Sequence, residues 1–188
     1  MPETLDRLRQ EHRDIAGLLD ILEAELADFD AAASPDFDII SAIADYFSGY
    51  PEACHHPKED RLYEALLVHR PDCAALVGDV VAEHRSLGNL VKQFADAVGN
   101  VMRDAEVSRV AFDHVVRQFI DAQRRHIDKE ESGLFPLAAN TLTEADWAAI
   151  DAQIADADDP LFGKMPEARF AGLRKNIAEW EAERTGNP

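Results

Sequence analysis

Cysteine is scarce in this 188-residue chain, which carries only Cys54 and Cys73. The two lack CxxC spacing and any repeating pattern, which argues against a disulfide framework and against a thiolate metal site. A chain of this length buries a sizeable core without such staples. No segment approaches the ~20 consecutive apolar residues that cross a bilayer. The opening residues, MPETLDRLRQEHRD, are charged almost from the start and lack the apolar stretch of a secretory signal. A soluble, cytoplasmic protein without membrane contact is the expectation. Basic residues are also few, 19 against 37 acidic, for a formal net charge of −18. Such a surface repels polyanions, so a nucleic-acid partner is not expected. Finally, no apolar/polar alternation extends far between turn residues, so strand signals are missing and the fold reads as all-α.

Helical signals are abundant. Leu5, Leu8, His12, Ile15, Leu18, Leu19, Leu22 and Leu26 recur at intervals of three and four, the pattern of a helix with one buried face. His12 lies on that apolar stripe. Further helical stretches run from about Asp36 to Leu67, Pro71 to Val98 and Val107 to Leu137. Breaks are expected at Ala31–Pro35, at Arg70-Pro71-Asp72 and at Gly99-Asn100. Pro51 and Pro57 interrupt the second stretch, which is expected to bend or restart near Pro51. The four stretches predict an antiparallel up-down four-helix bundle over residues 1–142. Thr143-Glu144-Ala145-Asp146 then reads as a helix N-terminus. A last amphipathic segment follows from about Pro166 to Arg184, after a loop from Asp156 to Pro166. Residues 143–188 are thus expected as a helical extension packed on the bundle.

Comparison of the chain with itself selects candidate ligands. Glu11-His12-Arg13 reappears 72 positions later as Glu83-His84-Arg85. Downstream, His55-His56-Pro57-Lys58-Glu59-Asp60 is matched at an offset of 71 by His126-Ile127-Asp128-Lys129-Glu130-Glu131. His55 aligns with His126, Lys58 with Lys129, Glu59 with Glu130 and Asp60 with Glu131, whereas His56 has no histidine counterpart. Each half therefore holds one histidine, then a His-x-x-x-Glu pair whose side chains share one face of a helix. A lone histidine on an apolar face is ordinarily a satisfied core residue; a duplicated set of six is a different matter. Four imidazoles and two carboxylates suit two cations, since a carboxylate has two oxygens and can bridge. Glu59 and Glu130 would be costly to bury together without cations, and in a metal-free chain they are expected to be relieved by protonation at lower pH. Nitrogen and oxygen donors with open positions favour iron or manganese, with zinc left open. His69, just before Arg70-Pro71, reads as a surface loop residue, His114 lies roughly 120° around the helix from His126, and neither repeats. Cys54 reads as a buried inert thiol, and Tyr46, Tyr50 and Phe119 as core aromatics.

This arrangement resembles the hemerythrin-like family, with its HHE cation-binding pattern, over residues 5 to about 140. The two clusters above, the second followed by Leu134-Phe135-Pro136, look like the family's signature segments. The resemblance implies His12, His55, His84 and His126 as terminal iron ligands, Glu59 and Glu130 as bridging carboxylates, and an oxo or hydroxo group completing the bridge between two iron ions. Manganese or zinc are alternative occupants. Oxygen-carrying members place a fifth histidine one turn from the third ligand; here Gly88 and Val80 occupy those positions. His56 is the candidate to compensate, since some relatives of the family the chain resembles use the residue after that histidine as a ligand. The implied function is a non-haem di-iron protein that binds or reacts with O2, H2O2 or NO, with catalase- or peroxidase-like chemistry favoured over simple oxygen carriage. The alternatives are an oxygen- or iron-sensing module and an iron-handling protein. A redox partner and a monomeric or homodimeric state complete the expectation.

Overall fold

The computed structural model describes residues 2–30, 35–103, 105–154 and 159–185, and every described element is helical. Helix α1 spans Glu3–Asp30 and α2 Phe37–Phe47. A wide π turn at Pro51–His55 leads into α3, His56–His69, and a 3-10 turn at Pro71–Cys73 leads into α4, Ala74–Met102. Helix α5 covers Arg109–Lys129, a second π turn covers Glu130–Leu134, and α6 covers Phe135–Thr141. Helices α7, Glu144–Gln153, and α8, Ala171–Thr185, complete the chain. Helix α1 packs on α2 and α5, and α4 packs on the same two, closing a four-membered ring. The architecture is the expected bundle with extra C-terminal helices.

Local chemistry explains the boundaries. Asp36 caps α2 by accepting from the backbone N–H groups of Asp38 (3.0 Å) and Ile39 (3.2 Å). Thr143 and Asp146 form the reciprocal capping box anticipated for α7. Both π turns end just before a proline. The His56 N–H bonds the Pro51 carbonyl and precedes Pro57; the Phe135 N–H bonds the Glu130 carbonyl and precedes Pro136. A proline ring crowds the carbonyl four residues back, and a five-residue turn widens the helix to make room. One expectation fails. Gly99-Asn100 does not end α4, which continues to Met102. A glycine costs a helix only about 1 kcal/mol, and here its bare Cα admits the Arg103 guanidinium, which donates to Asn100 (3.0 Å). The expected break at Ala31–Ser34 and the first part of the expected loop, residues 156–158, lie outside the described residues.

The interior is two apolar clusters with a polar layer between them. On α1, Leu5 and Leu8 belong to one cluster and Ile15, Leu18, Leu19, Leu22 and Leu26 to the other. On α4, Val77 and Val80 belong to the first and Val91, Phe94 and Val98 to the second. His12 and His84 fall in the gaps. Helix α7 covers the first cluster with Trp147 and Ile150, and Phe170 and Leu173 near the start of α8 join the second. No described helix is long and apolar enough to cross a membrane.

Candidate metal centre

The polar layer brings all six predicted residues together. His12 comes from α1, His55 from the first π turn, Glu59 from α3, His84 from α4, His126 from α5 and Glu130 from the second π turn. All are buried, and Glu59 and Glu130 are fully so. The wide turns thus position one histidine of the first half and one carboxylate of the second.

Each imidazole directs Nε2 inward. His12 Nε2 lies 3.2 Å from Glu59 Oε1 and 3.4 Å from Glu130 Oε2; His55 Nε2 lies 3.2 Å from Glu59 Oε1. His84 Nε2 lies 3.4 Å from Glu59 Oε2, and His126 Nε2 lies 3.3 Å from Glu130 Oε2. The two oxygens of Glu59 therefore face different histidines. Two groups of ligand atoms result: His12, His55 and Glu59; and His56, Glu59, His84 and His126. Glu59 belongs to both.

The outward Nδ1 atoms meet a second ring of carboxylates. Glu11 holds His55 at 2.7 Å, Glu131 holds His12 at 3.0 Å, and Glu83 holds His126 at 3.2 Å, while Asp60 stands 3.6 Å from His84. Lys58 donates to Glu11 (2.5 Å) and to the Tyr50 hydroxyl (3.0 Å), and Lys129 donates to Glu83. The duplicated Glu, Lys and Asp/Glu positions are thus the outer supports of the duplicated histidines. Such partners fix the ring orientation and leave Nε2 free for a metal.

Burial and charge act in opposition here. Burial alone would lower the imidazole pKa values, but the facing carboxylates, Glu130, Glu131 and Glu59 at His12 and Glu130 and Glu59 at His84, raise His12 to about 11 and His84 to about 10. His55 likewise rises to about 9 through the charge of Glu59 and its bond to Glu11. Burial would raise Glu59 and Glu130, yet the surrounding imidazoles hold both below the ordinary carboxylate value. A metal-free centre therefore neutralises its carboxylates with imidazolium protons. Glu59 Oε2, Glu130 Oε2, His84 Nε2 and His126 Nε2 nevertheless find no hydrogen-bond partner. Each such orphan costs about 1–3 kcal/mol, and the four atoms are donors that a cation would satisfy together. The donor set fits a metal.

Residues 3–138 match the hemerythrin HHE cation-binding domain. The chain belongs to that family. Among curated proteins, none matches it significantly. Membership and the buried His/Glu cluster together make this a metal-binding hemerythrin-like bundle.

Some site residues lie outside the repeat. His56, set aside by the repeat, is buried and stacks on His84 with ring centroids 4.0 Å apart. Burial and the neighbouring charge of His84 lower it to about 3, so it keeps its lone pair. Tyr63 donates to Glu130 (2.5 Å). It lies one turn beyond Glu59 and shares its face, but its counterpart in the second half is Leu134, so the repeat is silent about it. Tyr50 and Tyr46 are core aromatics whose hydroxyls are engaged, Tyr50 donating to Glu11 (3.1 Å) and Tyr46 to Asp159 (2.8 Å). Cys54 is half-buried, where a buried thiol was expected. His69 is exposed as expected, though it ends α3 and pairs with Asp146 at 3.0 Å, and His114 is exposed on α5.

Proposed function

We propose that the layer holds two iron ions and that the chain uses them to bind or react with a small ligand such as O2, H2O2 or NO. His12 and His55 would serve one position and His84 and His126 the other, with Glu59 and Glu130 bridging. His56 would be an additional donor at the second position, supplying from α3 the imidazole that Gly88 does not supply from α4. The observation that carries this reading is Glu59, whose two oxygens face His12 and His55 on one side and His84 on the other. An iron pair would supply reversible electron transfer and open coordination positions.

The chain's own groups do the remaining work. Glu11, Glu83 and Glu131 orient the imidazoles, and Tyr63 holds Glu130 by one oxygen. The two apolar clusters exclude water from above and below the layer. Lys58, Glu11 and Tyr50 form a buried network that can hold a proton beside His55. That network suits chemistry that shuttles protons, and peroxide decomposition, which takes up two protons in one half-reaction and releases two in the other, is the preferred reading. Oxygen or iron sensing, and iron storage or donation, are the alternatives. Residues 1–142 are read as the metal-binding bundle and 143–188 as its extension.

The test is iron content with magnetic spectroscopy on reconstituted protein, followed by oxygen evolution from added H2O2. Two irons per chain with an EPR-silent, coupled ferric pair and steady oxygen evolution is the expected result. One tightly held metal per chain refutes the dinuclear reading. Two irons without peroxide turnover, released to a chelator within minutes, favours iron handling.

A further inference from the structure

Beside the layer, on the far side of the His56 imidazole, lies a cavity of about 380 Å3. One water occupies roughly 30 Å3 of liquid, so this space exceeds what a diatomic gas or peroxide needs and falls in the range of sites for small organic molecules. Phe47, Leu87 and Val91 give it an apolar wall. Gly88 contributes no side chain, and a Cβ there would meet only the flexible Glu52 carboxylate, at 3.5 Å. At the inner end, His56 Nδ1 is buried without a hydrogen-bond partner, and the Glu52 carboxylate stands 3.7 Å from it.

The rim carries the opposite charge from the rest of the surface. Arg85 and Lys92 lie two turns apart on one face of α4, exposed, and neither has an ion pair or hydrogen-bond partner among the described residues. Most other cations of this acidic chain are neutralised, as Arg61 is by Glu64, Arg70 by Asp72 and Arg124 by Asp20 and Glu23. Among the described residues, Glu52 is the one carboxylate that lines the cavity. Two unpaired cations against one carboxylate leave a single net positive charge, which suits a monoanion.

We propose that this cavity is a binding site for a small organic carboxylate with an apolar body, seated with its charge between Arg85 and Lys92 and its body against Phe47, Leu87 and Val91. The site goes beyond the small-ligand reading above and does not require the metal to be filled. A bound molecule would sit one imidazole away from His84, close enough to report on, or restrict, access to the centre.

The probe is naphthalene-2-carboxylate, with naphthalene-2-carboxamide as its uncharged counterpart, titrated calorimetrically into metal-free and iron-loaded protein. The acid should bind with at least tenfold higher affinity than the amide, in both forms. Gly88→Leu should abolish binding by filling the cavity, and its helix content should be unchanged. Arg85→Gln combined with Lys92→Gln should weaken the acid at least tenfold and leave the amide unaffected, whereas Arg174→Gln, at an exposed position that does not line the cavity, should do neither. Glu52→Gln should tighten the acid. Equal affinity for acid and amide, undiminished binding to the Gly88→Leu protein, or no binding of the acid at millimolar concentration overturns the proposal. Iron content measured on the same samples reports on the metal reading separately: probe binding without iron uptake refutes the di-iron centre alone.

Discussion

At the scale of single residues, the support behind each ligand sets how firmly it holds a metal. Glu11 is buried, bonds His55 at 2.7 Å and is itself held by Lys58 and Tyr50, whereas its counterpart Glu83 is only partly buried and bonds His126 at 3.2 Å. Glu11→Gln should therefore lower iron affinity about 10–100-fold, and Glu83→Gln by less, as read by competition with a chelator. Equal losses would show that burial of the outer carboxylate is irrelevant. Protons are the other occupant of the site. The raised imidazoles contribute stability that is fully present below their ordinary value of 6.5 and lost as pH rises through about 9 to 11. The lowered carboxylates contribute stability present above 4.5 and lost as pH falls. The melting temperature of metal-free protein should thus peak between about pH 4.5 and 6.5 and fall on both sides. The relief by acid expected from two bare carboxylates is overturned by the imidazoles that face them; a melting temperature that climbs steadily below pH 4.5 would restore it. The six inner residues were legible because the chain repeats them. Tyr63 was not, because it breaks the repeat and is placed by tertiary packing alone, and His56, which also breaks it, was flagged only by the family resemblance.

At the scale of elements, the prolines matter more than their missing hydrogen bonds. Pro57 follows directly on the wide turn that ends at His55, and a regular α-helical turn there would rotate the His55–Glu59 face relative to α2. Pro57→Ala should allow that regular turn, so iron content should fall toward one per chain while helicity by circular dichroism holds or rises. Retention of two tightly bound irons would show that packing, not the proline, sets the turn. A kink near Pro51 was readable from the sequence, but its π character was not, since it depends on how the flanking helices are held. The course of α4 past Gly99 was missed for a related reason: a weak local breaker is overridden when a helix of 29 residues is packed along its length. The cap at Thr143, whose chemistry is local, was read correctly.

At the scale of the molecule, the layered interior makes the metal part of the fold. Iron at a hundredfold excess over Kd would contribute about 2.7 kcal/mol, and a chain of this size gains roughly 2–4 °C per kcal/mol. Loaded protein should therefore melt about 5–11 °C above metal-free protein in differential scanning calorimetry, and coincident melting would exclude a core site. The wiring of the outer ring has a further consequence. The His12 of the first half is held by Glu131 of the second, and the His84 of the second faces Asp60 of the first. Neither hairpin can orient its leading histidine unaided, so metal capture must wait until the halves have met. The link between them, Arg70–Cys73, is short and polar at its start. Two chains that exchanged hairpins across it would still complete both centres. The geometry polices which residues meet, and is indifferent to whether they belong to the same molecule.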